Sequence, residues 1–172
     1  MKKLLLFALF LSGMNACFSQ SLTGEIPTDP NKNKEKKTVW ETFSKSKQIV
    51  AYTRASKLND IVYLDVRLIL QGGKVFAVNS GANLIFKMEN DSLLTLNIPK
   101  YDVSCMGCGA IGAEGSETYG IELNITVGID KVDALSKHKI KKIKVNTSDW
   151  AVESDVKEKF QETIKNALVQ LQ

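Results

Sequence analysis

The segment ETYGIELNITVGI, residues 117–129, alternates without a break. Tyr119, Ile121, Leu123, Ile125, Val127 and Ile129 fall on one side, and Gly120, Glu122, Asn124, Thr126 and Gly128 on the other. Period two marks a strand covered on one face, because a helix would scatter the same side chains around its axis. A chain built around such a segment is expected to fold as antiparallel sheet with one face on the core and one in water. The length of the segment predicts a central, strongly twisted strand.

The same alternation recurs. In DIVYLDVRLIL, Val62, Leu64, Val66, Leu68 and Leu70 share one face while Tyr63, Asp65 and Arg67 share the other, and Gly72 and Gly73 then supply a turn. ANLIFKME gathers Ala82, Leu84, Phe86 and Met88; Asn90 and Asp91 reverse the chain; Leu94, Leu96 and Ile98 follow, which predicts a hairpin. Asp130 is placed to cap a short helix through Asp133 to Lys137, and Ile143 and Val145 mark a further strand. From Trp150 the period changes. Val152, Val156, Phe160, Ile164, Ala167, Leu168 and Leu171 recur every three or four residues, with Lys157, Glu158, Lys159, Glu162 and Lys165 between them. That spacing predicts an amphipathic helix of about four to five turns. The expected fold class is therefore α+β: an antiparallel, largely meander β-sheet with the C-terminal amphipathic helix packed on one face.

The start of the chain carries a different signal. MKKLLLFALFLSGMNACFSQ has Lys2 and Lys3, an apolar run from Leu4 to Leu11, and small or polar residues beyond it, the layout of a secretory signal peptide over residues 1–19. The run is far shorter than the roughly 20 apolar residues of a membrane-spanning helix, so no transmembrane span is expected. Cleavage is expected between Ser19 and Gln20, because Cys17 and Ser19 are small enough for the peptidase; lipidation at Cys17 is the alternative. The first route predicts a periplasmic or secreted protein, the second an outer-membrane lipoprotein. Residues 20–37 hold two of the three prolines, four lysines and only Leu22 and Ile26 as large aliphatics, and so read as a polar flexible lead-in. Residues 38–172 read as a single α+β domain, large enough to bury roughly two thirds of its surface without a metal or a disulfide. The formal charge of +4 falls to +2 without Lys2 and Lys3, which gives no reason to expect a nucleic-acid partner.

Chemistry is concentrated in SCMGCGAIGAEGSETYG, residues 104–120, which contains five of the eleven glycines together with Cys105 and Cys108. In an exported protein C-x-x-C reads first as a structural disulfide, with glycines allowing the φ angles so small a ring demands. A redox pair is the alternative; in that case the cysteines should be reactive, whereas a structural bridge should be buried. A thioredoxin arrangement lacks its later cis-proline, since no proline follows Pro99. Zinc needs four N or S ligands and only His138 could join; haem attachment needs histidine where Gly109 stands. Gly107, Gly109 and Gly112 spell G-x-G-x-x-G, but a dinucleotide site needs a helix after the motif and an alternating strand follows here. Gly107, Gly109, Gly112, Glu114 and Gly115 are kept as a candidate binding loop, because long loops without periodicity carry function more often than most.

Elsewhere the signals are bland. His138 lies among lysines and reads as a surface residue, Asp65 and Arg67 as an ion pair along one strand face, and Asp102, Glu114 and Glu117 as acidic residues flanking the loop. Trp40 and Trp150 read as edge packing rather than sugar platforms. With no complete catalytic constellation, and no cofactor or metal expected, the sequence reads as a non-enzymatic envelope or secreted protein. It is expected to be a binding or structural module whose partner is an unidentified protein or envelope component. The alternative is a thiol-disulfide or metal-handling protein using Cys105 and Cys108. The leader, the lysine-rich lead-in, SCMGCGAIG and the closing TSDWAVESDVKEKFQETIKNAL together resemble small uncharacterised exported proteins of Gram-negative bacteria, a likeness that implies compartment and no activity.

Overall fold

The computed structural model describes residues 35–171. The expected leader, its cleavage site at Ser19 and Gln20, Cys17 and most of the lead-in lie outside the described residues. Strand β1 (Glu35–Lys37) takes in the last three residues of the segment expected to be a polar flexible lead-in. It is followed by β2 (Glu41–Lys45), β3 (Ile49–Leu58) and β4 (Ile61–Leu70), then a short β5 (Ala77–Val78). Strands β6 (Asn83–Met88) and β7 (Leu93–Asn97) form the expected hairpin, turned by Asp91 at φ 64°. Next come β8 (Asp102–Val103), β9 (Cys105–Met106), β10 (Tyr119–Val127) and helix α1 (Ile129–Lys137). The chain closes with β11 (Ile140–Asn146), β12 (Ala151–Asp155), a 3₁₀ turn (Glu158–Phe160) and helix α2 (Thr163–Val169).

These strands make antiparallel sheets, but not one meander. The first sheet runs β1-β3-β4-β10-β9 with β2 also on β3; the second runs β12-β11-β6-β7; β5 and β8 form a two-stranded ribbon. In the first sheet the register stacks Ala51, Leu68 and Ile121 in one row, Thr53, Val66 and Leu123 in the next, and Ala55, Leu64 and Ile125 in a third. All nine are buried. In the second, Phe86 sits beside Leu94 and Ile143, and Leu84 beside Leu96 and Val145. Both sets belong to one continuous core, and Phe43 of β2 meets Phe86 of β6 edge-on at 5.5 Å between ring centres. Each fully buried aliphatic in such rows contributes roughly 1.5–3 kcal/mol by leaving water, before chain entropy is set against it.

Three further expectations change. The helix expected from Trp150 is instead a strand, a 3₁₀ turn and a two-turn helix, with Val152 of β12 paired to Val145 of β11. Ile164, Ala167 and Leu168 of α2 belong to the core, α2 neighbours β2, β3 and α1, and the Thr163 hydroxyl donates to the Thr42 carbonyl at 3.2 Å. Strand β10 is not central either. It pairs with β4 along nearly its whole length but meets β9 only at Tyr119 and Gly120. Asp130 stands in the first turn of α1, where its charge suits the helix dipole, while Gly128 occupies the cap position.

Candidate functional site

The loop from Gly107 to Thr118 is a chain of tight turns closed on itself. The Gly107 amide donates to the Thr118 carbonyl at 2.8 Å, Ala110 to Gly107 at 3.0 Å, Thr118 to Gly115 at 3.1 Å, and Ile111 and Glu114 exchange both their backbone bonds. Cys105 and Cys108 form the expected disulfide, with Cα atoms 5.3 Å apart. Gly107, Gly112 and Gly115 have φ of 77°, 60° and 85°, so these three meet a conformational need. Gly109 meets a different one. A Cβ there would lie 2.7 Å from Ile69 Cγ1 and 2.9 Å from the Leu68 carbonyl, and one on Gly115 would lie 2.4 Å from Ile69 Cδ1. The loop lies flat on the outer face of the first sheet, and the absence of side chains lets backbone rest on backbone.

Side chains then pin it. Arg67 Nη1 donates to the Ala110 carbonyl at 3.0 Å, Lys45 bridges to Glu114, and Ile111 joins Val50, Tyr52 and Ile69 in a small second apolar cluster together with Trp40. Lys45, and after it the Tyr52 hydroxyl, hold the Glu114 carboxyl below its usual range. Burial, and after it the Glu114 carboxylate, push the Tyr52 phenol up to about 12. That hydroxyl is buried near Glu114 without a hydrogen bond of good geometry.

Beyond the loop the same outer face carries a charge network. Rows read across the sheet as Tyr52, Arg67, Glu122 and then Arg54, Asp65, Asn124. Arg54 Nε donates to Asp65 at 2.8 Å, Arg67 Nε to Glu122 at 2.9 Å, and the Asn124 amide to the other Asp65 oxygen. Asp65 is 3% exposed and balanced by these donors. Asp65 and Arg67 are therefore each paired across strands, not with one another as their spacing suggested. The Trp40 ring spans both guanidinium groups, with their carbons 4.5 and 4.3 Å from its centre. Sequence reasoning found Asp65 and Arg67 but missed Arg54, Tyr52 and the role of Trp40, because the register of β3 on β4 is what assembles them.

The segments that lead into the loop carry exposed side chains. Both cysteines are exposed, Met106 is 62% exposed, and Val103, Tyr101 and Val75 are exposed as well. Ala77 pairs with Val103, so the same register continued places Val75 opposite Cys105, on the ribbon surface that also carries Val103. A separate apolar recess of about 360 Å³ lies at the other end of β10, lined by Val62, Val127, Val132, Leu168 and Leu171 with Lys57 and Asp60 at its edge. His138 stands just after α1 with Nδ1 3.6 Å from Glu89, Asp102 bonds its neighbour's amide, and Trp150 closes a turn with Thr147; none of them joins the loop. Among the described residues no three His, Cys, Asp or Glu side chains are grouped to hold a metal ion, and no helix is long and apolar enough to cross a membrane. Comparison with family models, with curated proteins and with solved structures finds no match, so the site is read from its geometry.

Proposed function

We propose that this chain is a non-catalytic exported binding module, whose contact surface is the disulfide-closed loop and the apolar strip beside it. The observation that carries this reading is a pinned loop beside exposed apolar residues. Glycines, Arg67 and Lys45 fix the loop to the sheet, while Met106 of β9 and Val103, Tyr101 and Val75 along the adjoining ribbon are exposed to solvent. A rigid backbone carrying exposed apolar side chains is preorganised for a protein contact, because little ordering entropy remains to be lost on binding. The reading takes α2 as docked on the sheet through Ile164, Ala167 and Leu168, which keeps the platform behind the loop stiff. It takes the partner as an envelope component rather than nucleic acid. Export through the leader is part of the proposal, and the intact mass of protein recovered from its native envelope should correspond to a start at Gln20; an acylated Cys17 would move the protein to a membrane surface.

The test is capture of partners from that envelope by the wild-type protein, by Met106→Asp, and by the Cys105→Ser, Cys108→Ser double variant. A partner retained by the wild type and lost by both variants supports the loop surface; a partner that all three retain equally overturns it. One observation favours a second reading. Both cysteines are exposed, which suits thiol-disulfide exchange better than a buried structural bridge would. Wild-type reduction of an insulin-type disulfide, abolished in the double variant, would establish that reading in place of the first.

A further inference from the structure

Four strand edges bound the two sheets, and three of them carry a device that discourages pairing with another chain. On one side of the first sheet, β1 is three charged residues long and β2 is short, bulged between Thr42 and Ser44, and capped at the Thr42 carbonyl by Thr163. In the second sheet, β12 carries Glu153 and Asp155, both bridged by Lys142, and β7 has its Thr95 carbonyl occupied by Lys131 Nζ at 2.7 Å. Short strands, bulges, charges and capped carbonyls are the usual means of keeping an edge unpaired.

Strand β10 carries a single charge and has neither a bulge nor a capped carbonyl. Beyond Gly120, no strand among the described residues pairs with its far edge from Ile121 to Val127, although β7 of the second sheet passes nearby. The segment IELNITV has no proline, lysine or arginine, and its register on β4 runs through eight residue pairs without a bulge. Its one charge, Glu122, is taken up by Arg67. The outer face of this strand, Glu122, Asn124 and Thr126, is exposed. An unbulged, uncapped edge presents backbone N–H and C=O groups to any strand that can match it.

We infer that β10 pairs antiparallel with β10 of a second copy of this chain, about a two-fold axis at Asn124. The sequence is self-complementary in that register. Glu122 faces Thr126 of the second copy and Leu123 faces its Ile125, so apolar residues meet apolar residues, no like charges oppose, and the pairing stops short of Gly120, where β9 begins. The pairing is isologous, closes on itself, and joins the two first sheets into one. It uses backbone groups at the β10 edge between Glu122 and Thr126, beside the end held by β9.

The assay is sedimentation of the processed protein over a concentration series, with Thr126→Glu and Thr126→Lys beside the wild type. Thr126 is exposed on the outer face, so both substitutions leave the monomer fold in place. The wild type should form a reversible dimer. Thr126→Glu sets a carboxylate against Glu122 twice across the axis and should weaken the dimer by about tenfold. Thr126→Lys sets an ammonium there and should leave the dimer as tight or tighter. A wild type that stays monomeric overturns the inference, including one that instead takes a strand from another protein. So does a dimer that both variants weaken equally, or that neither affects.

Discussion

Gly120→Ala puts the packing of the loop on the sheet to a direct test. Gly120 is extended, so alanine meets no φ penalty there and would, in open space, stabilise by about 0.4–1 kcal/mol through the unfolded chain. The space is not open. The added Cβ would stand 2.5 Å from the Gly109 nitrogen, 2.7 Å from its Cα and 3.0 Å from the Leu68 carbonyl. All three are backbone atoms, so no side-chain rotation relieves the clash, and either the Gly107–Thr118 turns or β4 must move. Overpacking of this kind costs about 1–3 kcal/mol, which exceeds the entropic gain and leaves a net loss of about 1–2 kcal/mol. Urea unfolding under oxidising conditions should therefore show a lower midpoint with an unchanged slope, and the Cys105–Cys108 bond should be reduced faster as the loop lifts from Ile69. Gly112→Ala is the control. At φ 60° with nothing within 4 Å, it should cost about 1 kcal/mol from conformation alone and leave the reduction rate unchanged. A Gly120→Ala midpoint equal to or above that of the wild type would refute the close-packed reading of the loop.

Asp65→Ala leaves Arg54 and Asn124 without their shared acceptor beneath Trp40; because Arg54 is partly exposed and also near Glu122, the cost should be about 2 kcal/mol rather than the full value for a buried pair, and a urea midpoint within error of the wild type would contradict it. Ile164→Ala should cost about 3 kcal/mol by emptying a fully buried site, and Phe160→Ala about half as much because its ring is only partly buried; equal small losses would show that α2 is not docked. Glu114 has a depressed folded pKa, so its contribution is present above its ordinary value of 4.5 and is lost as pH falls through the lower folded value. Amide exchange in residues 107–118 should therefore accelerate at acid pH, and Glu114→Gln should remove that dependence. Tyr52 has a raised folded pKa, so its contribution is intact below about 10 and lost as pH rises toward 12; Tyr52→Phe should flatten that alkaline limb of the stability profile.

Much of the sheet was legible because one-sided burial imprints alternation directly, as in β4, β6, β7 and β10. Strand β3 is harder to see. Ile49, Val50, Ala51 and Tyr52 are all buried, since the loop and Trp40 cover the second face, and covering both faces erases the alternation. The C-terminal misreading has an equally specific cause. Val152 and Val156 are four residues apart, and four is both close to one helical turn and a multiple of two, so the pair fits a strand face as well as a helix stripe. Pairing with Val145 decides for the strand, and only Ile164, Ala167 and Leu168 keep the helical pattern. Within the candidate site, the disulfide was readable from C-x-x-C. The need for glycine at 109 was not, because it arises from Ile69 and Leu68 on a strand some forty residues earlier.

The order in which the chain visits its two sheets sets how it can fold. It lays down β1 to β4 in the first, crosses to β6 and β7, returns for β9 and β10, and crosses again for β11 and β12. Neither sheet is complete until late in the sequence: β4 waits for a neighbour more than fifty residues away, and the β6–β7 hairpin waits for β11. Contacts so distant in sequence must bear loop-closure entropy before they return any stabilisation, which makes folding slow and all-or-none. A fragment that stops before Val127 has two half-built layers and no closed interior. The whole segment must be free of whatever holds it unfolded before any part of the core can close.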